Sequence, residues 1–227
     1  MRYKVISMDE RSRAEEHLRV IRSLMERATI YRAISAPTAL VAGVLSILST
    51  AIVYLNNDVK LVFGRPVGPR EFALIWIDVL ILVLAANAFF VWREARYSGR
   101  PFISPGMKLA LRAIAPSLLV PMAFTIWFFK RGYLGGQELE LVVVWVVFYG
   151  LALLSTALFA PRSLALLGWA FLLTGIAIPV LINLLDELAG DVPTVVMGLA
   201  FGLYHLVYAA STWPQRATSA AAEVSIE

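Results

Sequence analysis

The stretch Gly99-Arg-Pro-Phe-Ile-Ser-Pro-Gly-Met-Lys-Leu-Ala-Leu-Arg112 lies between two long apolar segments. It is basic and contains two prolines, which is typical of a connection between helices rather than of a helix interior. The apolar segment on either side is close to the roughly 20 residues that an α-helix needs to cross a bilayer. Because each span changes the side of the membrane, the side on which this connection lies determines the side of every other loop.

The composition is that of a membrane protein rather than of a soluble domain. Hydrophobic residues make up 59% of the 227 residues and charged residues only 16%, with a mean hydropathy of +0.75. A soluble domain has roughly 25% charged residues. The formal charge of +4 would suggest nucleic acid as the partner of a soluble protein. Here the basic residues flank apolar segments, which favours anionic lipids of the inner leaflet as a partner and no nucleic acid. The chain has no cysteine, which excludes disulfides and thiolate metal centres.

The sequence predicts an all-α, polytopic membrane protein with one transmembrane domain over residues 33–211. A cytoplasmic amphipathic helix precedes this domain within residues 1–32. A cytoplasmic tail over residues 212–227, rich in Ala, Ser and Thr, is expected to be disordered. Six apolar segments have the length and composition of transmembrane helices, at about residues 37–55, 72–92, 107–129, 139–160, 164–185 and 193–211.

The amphipathic helix is predicted over residues 8–32, where apolar side chains from Ile21 to Tyr31 recur at helical spacing among six arginines. Two interpretations of this helix remain open. In the first, it lies on the anionic membrane surface or docks on a partner protein. In the second, it is a solvated stem whose apolar stripe packs on the protein's own loops.

The distribution of basic residues predicts the orientation of the chain. Counted along the sequence, fourteen lysines and arginines lie in segments on the side of the N-terminus and five in segments on the other side. The positive-inside rule therefore predicts a multi-pass protein of the cell inner membrane with both termini in the cytoplasm. The acidic connection over residues 186–191 then lies outside.

Two charged residues fall inside the predicted spans. Asp78 lies about 9 Å from the outer edge of its span and Arg112 about 5–8 Å from the inner edge, at a rise of 1.5 Å per residue. A salt bridge between them is therefore not expected, and Arg112 can extend to the cytoplasmic surface. Asp78 is too short to do so. The hydroxyl groups at its depth suggest either a structural hydrogen-bonded cluster or a protonatable or cation-binding site, and they belong to Ser49, Thr50 and Thr125.

A second polar level is predicted deeper in the bilayer. Asn87, His205 and Ser155 come out at a similar depth, roughly 18–22 Å from the outer side by the helical rise. Such a set could carry protons or recognise a ligand, or it could form hydrogen bonds between helices. One intramembrane histidine is too few for a zinc site or a bis-histidine haem, so no metal and no cofactor are predicted.

Two further sets of residues suggest contacts. Gly198 and Gly202 form a small-residue motif that permits close helix approach, either in a homodimer or within the bundle. The sequence contains no motif of a phosphate-binding loop, a metalloprotease or a serine hydrolase, which predicts a protein that is not an enzyme. A cytoplasmic basic face is predicted around the central connection and is formed by Arg93, Arg96, Arg100, Lys108 and Arg112.

Two segments carry a resemblance to a known group of proteins. They are Ile21-Arg-Ser-Leu-Met-Glu-Arg27 and Ala95-Arg-Tyr-Ser-Gly-Arg-Pro-Phe-Ile-Ser-Pro105, the latter followed by Arg112 and Pro116. By layout, most of the chain resembles a loose group of bacterial six-helix integral membrane proteins with no assigned activity, so no site residues are transferred. Members of that group are often encoded beside winged-helix regulators, and the resemblance therefore implies a sensing or regulated-response role.

These observations favour a non-enzymatic sensor or accessory subunit of the inner membrane. It would bind a cytosolic or membrane protein partner through the N-terminal helix and the basic face. The alternative is a small-molecule or proton-coupled transporter or exporter that uses Asp78 and the level of Asn87 and His205.

Overall fold

A computed structural model of the chain describes residues 13, 15–17, 36–59, 65–99, 103, 105–131, 138–157, 160–189 and 191–213. Six helices account for nearly all of these residues, and no strand occurs among them. The helices are α1 (Ala36–Val59), α2 (Pro69–Ser98), α3 (Pro105–Arg131), α4 (Glu138–Leu154), α5 (Arg162–Ala189) and α6 (Val192–Thr212). Within α6, the stretch Gly198–Leu203 is π-helical.

Five of these helices are long and apolar enough to cross a membrane, namely α1, α2, α3, α5 and α6, as expected of a multi-pass membrane protein. The exception among the six is α4, which has 17 residues and is about 26 Å long. The amphipathic helix predicted within residues 1–32 lies outside the described residues except at positions 13 and 15–17, which are helical. The predicted disordered tail also lies outside them beyond residue 213.

Polar side chains explain where two helices end differently from their predicted spans. α1 continues to Val59, past the predicted limit at residue 55, and the side chain of Asn56 donates a 2.7 Å hydrogen bond to the carbonyl of Arg65. α4 ends at Leu154 rather than near residue 160, and the chain turns over residues 155–157. The Thr156 hydroxyl there bonds back to a carbonyl of the last helical turn, which favours the turn over further helix.

The main core cluster is built from side chains of α1, α2, α4, α5 and α6. Phe171 of α5 is fully buried within it. A second, smaller cluster joins Phe128 of α3 to Leu141 of α4 and Ala73 of α2. The first and last helices, α1 and α6, pack against each other, so the bundle is held together across its full sequence length.

Glycines permit the closest helix contacts. A Cβ atom on Gly150 would lie 2.7 Å from the backbone nitrogen of Leu172, so α4 and α5 approach more closely than a side chain would allow. In α6, Gly198 packs against Thr50 of α1, and Gly202 packs against Ile47, which is one turn earlier on α1. Both glycines of the predicted motif therefore face α1 within one chain.

α2 and α3 lie at the periphery of the bundle. α2 packs mainly on α1, and α3 packs on α4. Each presents a long exposed apolar face, which in a membrane contacts lipid or another chain. The exposed side chains of these faces include Leu80, Ile81 and Leu84 on α2 and Leu111, Leu119 and Met122 on α3.

Candidate functional site

His205 is paired with Tyr149 in the interior of the bundle. The Tyr149 hydroxyl lies 2.9 Å from Nε2 of His205, which joins α4 to α6. Nδ1 of His205 is buried and makes no hydrogen bond of ordinary geometry, although backbone groups of Ala200 and Phe201 lie beside the ring. In the tautomer with the ring proton on Nδ1, the Tyr149 hydroxyl donates to Nε2.

Aromatic rings surround this pair. The ring centroids of Phe171 and Phe201 lie 4.7 and 5.2 Å from that of Tyr149. Phe201 also stacks on the imidazole of His205, with 13° between the ring planes. His205 is only 4% exposed, so the hydrogen bond lies in an apolar environment. A polar pair in such surroundings is costly to leave unsatisfied.

The π-helical stretch Gly198–Leu203 positions the α6 side chains of this site. The backbone N–H of Tyr204 donates to the carbonyl of Leu199, five residues earlier, instead of four as in an α-helix. The wider turn shifts the phase of the helix, and Phe201, Tyr204 and His205 all contact α4 or α5. Single π-helical turns occur often at functional sites, which makes this interior cluster a candidate site.

Asn87, Ser155 and His205, predicted at one depth, face different neighbours. The side-chain oxygen of Asn87 accepts a 3.1 Å hydrogen bond from the Thr38 hydroxyl, which ties α2 to α1. The Ser155 hydroxyl donates to the carbonyl of Ala152 in its own chain segment. In the described part of the chain, no hydrogen bond joins any two of the three predicted residues. Asn87 and His205 each bond to a residue of another helix, and Ser155 bonds within the turn that follows α4.

The residues predicted around Asp78 are also dispersed. Asp78 lies on the exposed face of α2. Thr50 packs against Gly198 of α6, and its hydroxyl is buried without a hydrogen-bond partner. Ser49, one residue earlier on α1, is half-buried. The structure therefore brings Thr50 to the α1–α6 contact and leaves Asp78 on the outer surface of the bundle.

Thr125, the third hydroxyl predicted near Asp78, is bonded to a tryptophan instead. The indole N–H of Trp145 on α4 donates to the Thr125 hydroxyl at 2.9 Å. That hydroxyl in turn donates to the carbonyl of Pro121 at 2.6 Å. The sequence pattern did not predict that Trp145 bonds to Thr125 or that Tyr149 bonds to His205. A usable signal existed for Tyr149, because tyrosines normally lie at the membrane interface and one in mid-span needs a partner.

The predicted cytoplasmic basic face is formed in part by the C-terminal end of α2. Arg93 lies 5.6 Å from the ring centroid of Phe90, and Arg96 lies 5.3 Å from that of Trp92. Such cation–π contacts hold the guanidinium groups against the helix surface while leaving them accessible. The exposed cations of this face are Arg93, Arg96, Lys108 and Arg112, whereas Arg100 lies outside the described residues.

A hydrogen-bond network joins three segments at the opposite end of the bundle. The side-chain amide of Asn57 donates to the Asp191 carboxylate at 2.7 Å, and its oxygen accepts from the backbone N–H of Val67 at 2.8 Å. The other oxygen of Asp191 accepts from the backbone N–H of Thr194 and caps α6. This network holds the end of α1 to the start of α6.

Among the described residues, no three His, Asp or Glu side chains are grouped so that they could hold a metal ion. Comparisons of the chain with protein-family models, with curated proteins and with solved structures found no match. What the protein does is therefore inferred from the positions of its own side chains.

Proposed function

We propose that the protein is a non-enzymatic sensor or accessory subunit of the cell inner membrane, with six membrane-spanning helices and both termini in the cytoplasm. It binds a partner protein through its cytoplasmic surface. This surface comprises the N-terminal segment 1–32 and the basic face at the connection between α2 and α3. The excess of basic residues on one side of the predicted topology supports this orientation.

One observation carries the proposal. Three pairs of polar side chains join helices, namely Asn87 with Thr38, His205 with Tyr149 and Trp145 with Thr125, whereas the basic side chains of α2 and α3 are exposed. Hydrogen bonds between helices hold a bundle in one arrangement. A bundle that uses its interior polar groups in this way is typical of a scaffold, whose function is carried by its surface.

The packing of α4 supports a sixth span despite its short length. Its 17 residues are at the lower limit of about 17–25 residues for a transmembrane helix. Gly150 of α4 lies against Gly168 of α5, and Val147 lies against Gly175, so the two helices run antiparallel along each other. α5 is long and apolar enough to cross a membrane. A helix packed along such a neighbour occupies the same depth, and α4 would therefore cross as well.

Transport, the alternative function, has less support. A transport route needs polar groups that line one path through the bundle. Asp78 faces outward from α2, His205 is enclosed by aromatic rings, and Asn87 is bonded to Thr38. These three residues point in different directions, and we therefore favour the accessory role.

The accessory role is tested by crosslinking in native membranes, followed by affinity purification of the full-length protein. The variant Arg93→Ser/Arg96→Ser removes two exposed cations from one end of the bundle. The matched control Arg70→Ser/Lys130→Ser removes two exposed cations from the other end. We expect a cytosolic protein to co-purify with the wild type and with the control, and to be lost from the first variant and from a form lacking residues 1–32.

Because basic residues direct membrane insertion, the orientation of each variant is first compared with the wild type by labelling single introduced cysteines. The co-purifying proteins are then compared only among forms of the same orientation. An identical set of proteins from all of these forms would contradict the proposed role of the cytoplasmic surface.

A further inference from the structure

Asp78 points away from the bundle. On α2, the buried side chains of Phe72, Trp76 and Val79 define the side that faces the core. At 100° per residue, Asp78 lies about 100° to 160° around the helix from these three residues. It is exposed. The exposed side chains around it on the same face are apolar and belong to Leu74, Ile81, Leu82 and Ala85.

This carboxylate has no partner in the described part of the chain. No hydrogen bond or ion pair joins Asp78 to any other described residue. At about 9 Å below the outer edge of the predicted span 72–92, it would lie in hydrocarbon if α2 faced lipid alone. Charged side chains at such depths are almost always paired or hydrated. A short aspartate cannot reach the headgroups, so the group that satisfies Asp78 comes from outside the described part of this chain.

A second copy of the chain does not supply that group. Two copies in the same orientation that paired through this face would place Asp78 opposite Asp78, which like charges disfavour. Arg112 of another copy would lie about 13–16 Å away in depth. Arg131 is at the end of α3, where its guanidinium already lies 4.8 Å from the ring centroid of Trp127. Among the described residues, no lysine or arginine lies within the outer third of a predicted span, and Arg65, Arg70 and Lys130 lie beyond the ends of these spans.

We propose that the face of α2 formed by Leu74, Asp78, Ile81, Leu82 and Ala85 binds a membrane-spanning helix of a different protein, one that carries a lysine or an arginine in its outer third. This inference deepens the proposed accessory role and rests on it for the existence of a partner. Each charge is costly in hydrocarbon alone, and pairing removes both costs at once. The contact therefore selects its partner by the depth of one cation.

The test uses full-length protein in lipid nanodiscs and a designed transmembrane peptide of leucine and alanine with one lysine six residues from its outer end. A dye on the single cysteine of Tyr97→Cys, an exposed position on α2, reports binding of the labelled peptide by energy transfer. We expect this peptide to bind about tenfold more tightly than the same peptide with leucine in place of lysine. Moving the lysine to the inner third should abolish the difference.

Two variants decide whether Asp78 is responsible. Asp78→Asn keeps the size of the side chain and should remove most of the tenfold preference. Asp78→Lys should reverse it, so that a peptide with aspartate at the same position binds more tightly than the lysine peptide. A lysine preference that persists in Asp78→Asn would overturn the inference. Energy transfer between two copies of the protein that depends on Asp78 would also overturn it, because the occupant would then be a second copy.

The two proposals fail separately. If no cytosolic protein depends on the cytoplasmic surface in the co-purification experiment, the peptide result is unaffected, since the designed peptide has no cytoplasmic domain. Absence of any lysine preference in the peptide experiment removes the intramembrane contact while leaving the cytoplasmic surface as the docking site.

Discussion

At the scale of single residues, the hydrogen bond between Tyr149 and His205 lies in an apolar interior, where breaking it is costly. Tyr149→Phe removes the hydroxyl and leaves Nε2 of His205 without a partner among aromatic rings. A buried polar group left unpaired costs about 1–3 kcal/mol. We expect the free energy of unfolding to fall by about that amount, measured by reversible unfolding in mixed detergent micelles.

Tyr204→Phe is the matched control for this prediction. It removes a hydroxyl of the same kind, which shares a 2.7 Å hydrogen bond with Thr174. The Thr174 hydroxyl can then turn to a carbonyl of its own helix, an option that the imidazole of His205 lacks. The loss of stability should therefore be smaller for Tyr204→Phe. Equal losses of unfolding free energy for the two variants would show that breaking the bond to His205 costs no more than breaking the bond to Thr174.

The sequence allowed the depth of polar residues to be predicted but not their neighbours. Hydropathy and the helical rise give a position along the membrane normal, and they placed Asn87 and His205 at one level. They give no rotation of a helix about its axis and no order of helices around the bundle. The pairing of Asn87 with Thr38 and of His205 with Tyr149 depends on that rotation and order, and it could not be predicted. The π-helical turn before His205 further shifts its direction in a way that periodicity does not reveal.

At the scale of helices, two glycine contacts predict different responses to alanine. On Gly150 a Cβ atom would lie 2.7 and 2.9 Å from backbone atoms of Leu172 and Gly168, which cannot move without shifting α5. On Gly202 it would lie 2.6 Å from the terminal methyl of Ile47, which can change rotamer. Overpacking costs about 1–3 kcal/mol, and we expect this loss for Gly150→Ala in the same unfolding assay.

Gly202→Ala should change stability little, because the gain in helix propensity of up to about 1 kcal/mol offsets the adjustment of Ile47. The comparison uses one substitution at two glycines of the same bundle, so the intrinsic effect of alanine cancels. A larger loss for Gly202→Ala than for Gly150→Ala would mean that α1 and α6, rather than α4 and α5, form the tighter contact.

The helices themselves were largely predictable, since apolar length reports which segments can fill a bilayer. α5 was expected over 164–185 and spans Arg162–Ala189. The differences arise where polar side chains extend or end a helix. Asn57 at the end of α1 bonds to Val67 and Asp191, and such contacts with distant segments leave no mark in a hydropathy pattern.

At the scale of the whole molecule, the number of spans determines the side on which every segment after α3 lies. If α4 crosses the membrane, residue 162 and the end of α6 lie on the cytoplasmic side with the α2–α3 connection. If α4 does not cross, both lie outside. The absence of native cysteine makes single introduced cysteines unambiguous reporters. Glu140 in the first turn of α4, Arg162 at the start of α5 and Trp213 after α6 are exposed and suitable.

We expect a membrane-impermeant maleimide to label Glu140→Cys in intact spheroplasts and to label Arg162→Cys and Trp213→Cys only after permeabilisation. Arg65→Cys, four residues before α2, and Tyr97→Cys, near its C-terminal end, are both exposed and calibrate the outer and inner sides. Equal labelling of Glu140→Cys and Arg162→Cys in intact cells would show that α4 does not cross. Trp213→Cys would then be labelled from outside, and the basic face and the C-terminal end would lie on opposite sides of the membrane.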